Sequence, residues 1–220
     1  MRTSLTRIAS DFQADELIDI VIKADSSTKT FKVQKALLCS ASEYFVKALN
    51  GNFSEASDRR LRLPGASEDG VQTLIYWLAK RTLPDFLAEI RSAPRVEARH
   101  AAVIESHRIL AEAWMLADQV MMSDMRSDVM KKILAIMEHH GTPFEAVSHA
   151  WKIGAGLNLG DAYVVEARYE YFHGIITDND LLQLTRLDGF LKEFMSDVRE
   201  RVDEDGVNFP QAARSHSNFI

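Results

Sequence analysis

The sequence predicts an α+β fold with its sheet at the front of the chain. Three short β-type segments crowd into the first third, and apolar residues at helical spacing occupy most of the remaining two thirds. Serine, glycine and proline punctuate both regions where elements of ordinary globular length would start and stop.

The clearest strand signal is LIDIVIKADSSTKTFKV, residues 17–33. Leu17 to Ile22 is β-branched and almost continuously apolar, so a buried first strand is expected. ADSSTK supplies turn chemistry, after which Phe31 and Val33 alternate with Thr30 and Lys32. That pattern predicts a hairpin whose second strand has one wet face. A third short strand is expected in RLRLPG, where Leu61 and Leu63 point one way, Arg60 and Arg62 the other, and Pro64-Gly65 ends the run.

Helices come next. Lys35 to Cys39 reads as a short apolar turn of helix. Ser42 is placed to cap a helix carrying Tyr44, Phe45, Ala48 and Leu49, which stops at Asn50-Gly51. Ser67 precedes a helix with Val71, Leu74, Ile75 and Leu78 on one face. From Ser106, the spacing of Leu110, Ala113, Ala117 and Val120 marks another. Ser123 opens the next, with Met125, Val129, Ile133 and Ile136 inward and Gly141 as its end. Thr142-Pro143-Phe144-Glu145 has the form of a capping box with proline at the first helical position, and predicts a new helix there. Two more are expected, from about Asp161 to His173 and from about Asp188 to Val202. Residues 84–105 hold two prolines, both signs of charge and weak periodicity, and read as an exposed, mobile insertion with some helix. The tail from 204 to 220 mixes acid, glycine, proline and serine and is expected to fray.

At 220 residues the chain is one large domain, or one of ordinary size with an extension. Apolar residues at 46% and charged ones at 26% suit a soluble globular protein, and a net charge of −6 disfavours direct nucleic-acid binding. A single cysteine forms no internal disulfide, which points to cytosol or nucleus. MRTSLTRIAS lacks the apolar core of a secretory signal, and Asp11, Asp15 and Glu16 come too early for a good transit peptide. No apolar run approaches the ~20 residues of a membrane span.

Chemistry is scarce. A nucleophilic cysteine needs exposure and a lowered pKa, whereas Cys39 follows Leu37 and Leu38 with no histidine near it in sequence. A buried structural thiol is expected, with an enzyme using Cys39 as the rival reading. His139 and His140 diverge by ~100° on a helix and are better placed to complement its C-terminal dipole than to share a metal. His100 and His107 have no carboxylate spacing that suggests zinc. The glycines of GAGLNLGDA, residues 154–162, leave a helix rather than a strand, so a flexible connector is expected instead of a nucleotide loop. Trp77, Trp114 and Trp151, and most methionines of 114–130, sit at helical spacing and are expected in the core. No catalytic residue, metal or cofactor is assigned.

The order of elements nevertheless resembles a known family. In DIVIKADSSTKTFKVQKALLCSASEYFVKALNGNFSEASDRRLRLPGASEDGVQTLIYWLA, a strand opening on aspartate is followed by a hairpin return. A basic residue then opens K-x-L-L-x-x-x-S-x-x-F, ahead of a helix, F-x-E, a leucine-alternating strand and an amphipathic helix. This resembles a BTB/POZ domain, and LAEAWMLADQVMMSDMRSDVMKKI resembles its closing helix pair. The likeness covers about residues 15–137, interrupted at about 84–105. It implies a short three-stranded sheet flanked by helices, with a helical C-terminal extension over 141–203.

The likeness also implies sites. Asp19 and Lys35 fall where the family carries a charged pocket, with Gln34 in place of its usual histidine; a simple Asp19–Lys35 ion pair is the alternative. Phe53-Ser54-Glu55 matches the hydrophobic-x-Glu motif through which adaptor members contact a cullin scaffold, the alternative being that Phe53 covers the core while Glu55 is solvated. The expectation is a non-enzymatic protein-interaction module, either an adaptor for a cullin-based ubiquitin ligase or a self-associating, transcription-linked scaffold. Its partners would be proteins, with no direct nucleic-acid or membrane contact.

Overall fold

In the computed structural model, residues 16–24 and 27–205 are described. The expectations for the N-terminal leader and for the 206–220 tail lie outside them.

Strands β1 (Leu17–Ala24), β2 (Ser27–Gln34) and β3 (Arg60–Arg62) form one sheet in the order β2-β1-β3. β1 is antiparallel to β2, with Ile18 opposite Val33 and Ile20 opposite Phe31, and parallel to β3, with Ile20 beside Leu61. Ile18, Ile20 and Ile22 are buried, while Asp19 and Val21 are only half-buried and Leu17 is exposed. The nearly continuous apolar run is therefore not a strand buried on both faces. The opposite face carries Asp19, Thr30, Lys32, Arg60 and Arg62, and charge at these alternate positions keeps it wet.

Helices α1 (Lys35–Ala41), α2 (Glu43–Asn50), α3 (Ser54–Asp58) and α4 (Glu68–Lys80) belong to the same part of the chain. Ser42 caps α2 by accepting from the Tyr44 N–H at 3.0 Å, and its own hydroxyl donates to the buried Val120 carbonyl. Phe45 and Leu49, four apart, put α2 onto the core, as do Val71, Leu74 and Leu78 for α4. Ser67 caps α4 through the Gly70 N–H.

Next come α5 (Phe86–Ser92), α6 (Val96–Gln119), α7 (Ser123–His140), α8 (Phe144–Gly154), α9 (Asn158–Phe172), α10 (Asp178–Leu184) and α11 (Phe190–Asp205). The α+β class is as the sequence predicts, with the helical C-terminal region present. Residues 84–105, expected as an exposed insertion with some helix, are mostly helical, though most of 91–102 is exposed. Asp85 caps α5 by accepting from the Ala88 N–H, and Phe86 and Ile90 on that helix are buried. After Pro94, the helix expected from Ser106 already begins at Val96, with Val103 buried within its first turns.

Other local expectations also change. The capping box at Thr142 does not form: Pro143 is the N-cap, Glu145 is exposed, and the Thr142 N–H donates to Glu170 instead. A capping box does form at Thr177 and Asp180, opening α10, a helix the sequence reading missed. The α8–α9 connector is close-packed rather than loose, since a Cβ on Gly160 would lie 2.6 Å from the Gly154 carbonyl oxygen. On α11, Phe190 and Phe194 are buried while Leu191 and Met195 are exposed.

The chain divides into two compact units. One comprises residues up to Leu83 together with Leu116–Arg126, and the other comprises Pro84–Met115 with the chain from Ser127 onward. The first has its core in the isoleucines of β1 with Leu38, Phe45, Leu61, Leu74 and Trp77. In the second, Ile133, Ile136, Ala150, Trp151, Tyr163 and Phe190 are buried, and Trp151 donates through Nε1 to the Asp188 carbonyl at 2.8 Å.

Candidate interaction site

The sharpest surface feature of the first unit lies between α2 and α3. Helix α2 stops at Gly51, whose N–H donates to the Lys47 carbonyl at 3.0 Å. A Cβ on Gly51 would lie 2.5 Å from that carbonyl oxygen and 3.0 Å from a ring carbon of Phe53. Glycine thus lets the Phe53 ring fold back against the helix end. The ring is still 62% exposed, so Phe53 does not cover the core. Phe53 is also the N-cap of α3, which places half-buried Glu55 in the first turn, where helix polarity favours a carboxylate. Ser54 Oγ donates to Glu55 Oε2 at 3.3 Å. The corner thus presents an exposed apolar ring two residues from a half-buried anion.

The charged residues arrange differently from the simple alternative. Asp19 pairs with Lys32 at 3.4 Å, and Lys35 pairs with Glu16 at 3.8 Å. Glu16 also holds Arg59 at 3.0 Å. Asp19 and Lys35 thus take separate partners, in pairs that are partly exposed and contribute little to stability. Gln34 is half-buried and is the N-cap of α1 without a side-chain capping bond. The sequence reading missed Glu16 and Arg59. Their meeting depends on β3 running beside β1, where the Asp19 N–H donates to the Arg59 carbonyl at 2.9 Å.

Cys39 is half-buried rather than buried, with Asn50 Nδ2 at 4.0 Å from its sulfur. Trp77, Trp114 and Trp151 are buried, as are Met122, Met125 and Met130, whereas Met121 is exposed. His140 does not serve the helix end as a ready cation. Burial, His139, Arg99 and Arg91 all press its pKa below the ordinary histidine value. Among the described residues no group of three or more His, Cys, Asp or Glu could hold a metal, and no helix is long and apolar enough to cross a membrane.

A small mixed sheet is joined here by short helices, with an exposed aromatic at a helix corner. The BTB/POZ domain family model matches residues 9–89, and the chain carries a BTB/POZ domain followed by a helical C-terminal region. No curated protein matches the chain. BTB/POZ domains are protein–protein interaction modules, not enzymatic ones; they bind other proteins and often self-associate.

Proposed function

We propose that this protein is a non-enzymatic adaptor whose BTB/POZ domain docks a cullin-type scaffold through Phe53 and Glu55. The observation that carries the reading is the exposure of the Phe53 ring beside half-buried Glu55 at the α2–α3 corner. An exposed apolar ring loses contact with water when a partner covers it, which suits it to act as an anchor. Co-purification with a cullin scaffold is expected from the wild-type chain. Phe53→Ala with Glu55→Ala is expected to reduce it by tenfold or more, about 1.4 kcal/mol or greater, in the range of hot-spot truncations. Undiminished capture by the double variant would defeat the reading.

Self-association is the second reading, since BTB/POZ domains often self-associate. It predicts a dimer mass by multi-angle light scattering at micromolar concentration. A monomer there would remove it and leave the adaptor reading untouched.

A further inference from the structure

Strand β3 stands at one end of the sheet order β2-β1-β3. The Asp19 N–H donates to the Arg59 carbonyl at 2.9 Å, and the Leu63 N–H donates to the Val21 carbonyl at 3.3 Å. Backbone groups alternate sides along a strand, so residues 59, 61 and 63 face β1 while Arg60 and Arg62 turn their N–H and C=O groups away from it. Among the described residues, neither arginine makes a backbone bond outside the sheet. An edge of this kind is a template for an added strand.

The side chains at the edge select the strand. Ile18, Ile20, Leu61 and Leu63 are buried, so Asp19, Val21, Lys23, Arg60 and Arg62 lie on the opposite face, with Lys32 and Thr30 of β2. Arg60 and Arg62 are exposed and, among the described residues, form no ion pair. The face thus carries four cations and one carboxylate, Asp19, which Lys32 holds at 3.4 Å. Of the acids next in the chain, Glu16 holds Lys35 and Arg59, and Asp58 accepts from the Ser57 hydroxyl. On a chain of net charge −6, this is a local reversal of sign.

A second copy pairing through the same edge sets arginine against arginine, and like charges directly opposite each other are destabilising. A nucleic acid meets the charges but brings no amide groups to the strand edge. An extended peptide meets both requirements, because a residue opposite Arg60 or Arg62 exchanges backbone bonds with it and shares its face.

We propose that β3 takes up an extended acidic peptide as an added strand, with two acidic side chains at alternate positions meeting Arg60 and Arg62. The residue between them falls on the Leu61 side of the sheet and is apolar. None of these residues belongs to the Phe53–Glu55 corner, so the two readings are tested separately.

The full chain, ¹⁵N-labelled, is titrated at pH 7 and constant ionic strength with the peptide Ac-Thr-Glu-Val-Glu-Thr-amide. Three comparison ligands are its counterpart with lysine for glutamate, the acidic peptide N-methylated at both glutamates, and a short oligothymidylate. Saturable shifts over residues 59–63, with slowed exchange of the Arg60 and Arg62 amides, are expected for the acidic peptide, with Kd of about 0.1–1 mM for so short a strand. N-methylation keeps both carboxylates but removes two backbone donors, and is expected to weaken binding about tenfold or more. Arg60→Gln with Arg62→Gln, at exposed positions, is expected to weaken it by a similar factor and to leave the spectrum unchanged away from β3. Equal binding of the N-methylated peptide, the lysine peptide or oligothymidylate would overturn the proposal. So would the absence of saturable binding, or an unchanged Kd in the double variant.

Discussion

Asp197→Ala is expected to cost about 3–5 kcal/mol of folding stability. Arg168 sits on α9 with its side chain 2% exposed, and its guanidinium Nε donates to Asp197 Oδ2 on α11, itself only 17% exposed. Removing the aspartate leaves a buried guanidinium that cannot shed its proton, and Arg168 Nη2 already lacks a partner. The pair as a whole need not be strongly stabilising, because both ions gave up hydration to form it. The double variant Arg168→Met with Asp197→Leu should therefore recover most of the loss. Urea unfolding followed by circular dichroism measures both. A loss below about 1 kcal/mol for Asp197→Ala would mean that water screens the pair as at an exposed site. Asp161 offers a second readout. Burial raises its pKa, and Glu193 and Asp197 raise it further, so that value should fall toward the ordinary range once Asp197 is gone.

Helix α9 also marks the limit of what the sequence conveys. Its existence and ends were close to legible, with about Asp161 to His173 expected against Asn158–Phe172 observed. That Glu166, Arg168 and Glu170 point inward was not. A polar residue on a helix is read as its wet face, and that rule fails for a helix buried nearly all round, as α9 is from Leu159 to Arg168 apart from Asp161. The amphipathic helices obeyed the rule: Leu110, Ala113, Ala117 and Val120 are all buried as their spacing demands, and so are Met125, Val129, Ile133 and Ile136. Residues 84–105 misled for the opposite reason. Their apolar residues lack a clear helical period and are interleaved with much exposed charge, so capping by Asp85 and the Phe86–Ile90 pair were the readable signals.

The candidate interaction site was legible where it is local. Phe53 and Glu55 lie two residues apart on one helix corner, and local chain chemistry sets their geometry. The charged residues around Asp19 and Lys35 are brought together by strand pairing over some forty positions, which spacing cannot convey. Exposure of the Phe53 ring, the observation that supports adaptor docking most, was one of two open alternatives from the sequence and needed the structure to decide it.

Stability should fall by about 3 kcal/mol between pH 7 and pH 4 through His107 alone. The ring is fully buried, and its Nδ1 lies 2.7 Å from the Tyr163 hydroxyl, itself fully buried. Burial drives the His107 pKa down to about 4, and the backbone at Gly141 offsets only part of that. Burial also pushes the Tyr163 phenol well above its ordinary value, so Tyr163 stays protonated and donates to the neutral ring. Unfolded, the histidine binds its proton near pH 6.5. Between about 6.5 and 4 the unfolded chain therefore carries more protons than the native one, and acid favours unfolding. The stability present above pH 6.5 is lost as pH falls through the folded value, and 2.5 units at 1.36 kcal/mol each give the magnitude. His107→Gln can keep an acceptor for Tyr163 and removes the titration. It should lose some packing at pH 7 yet show a slope shallower by about 3 kcal/mol over the same window. Carboxylates titrate in both proteins and cancel in the comparison, so parallel pH profiles for the two would show that the buried ring takes up its proton without strain.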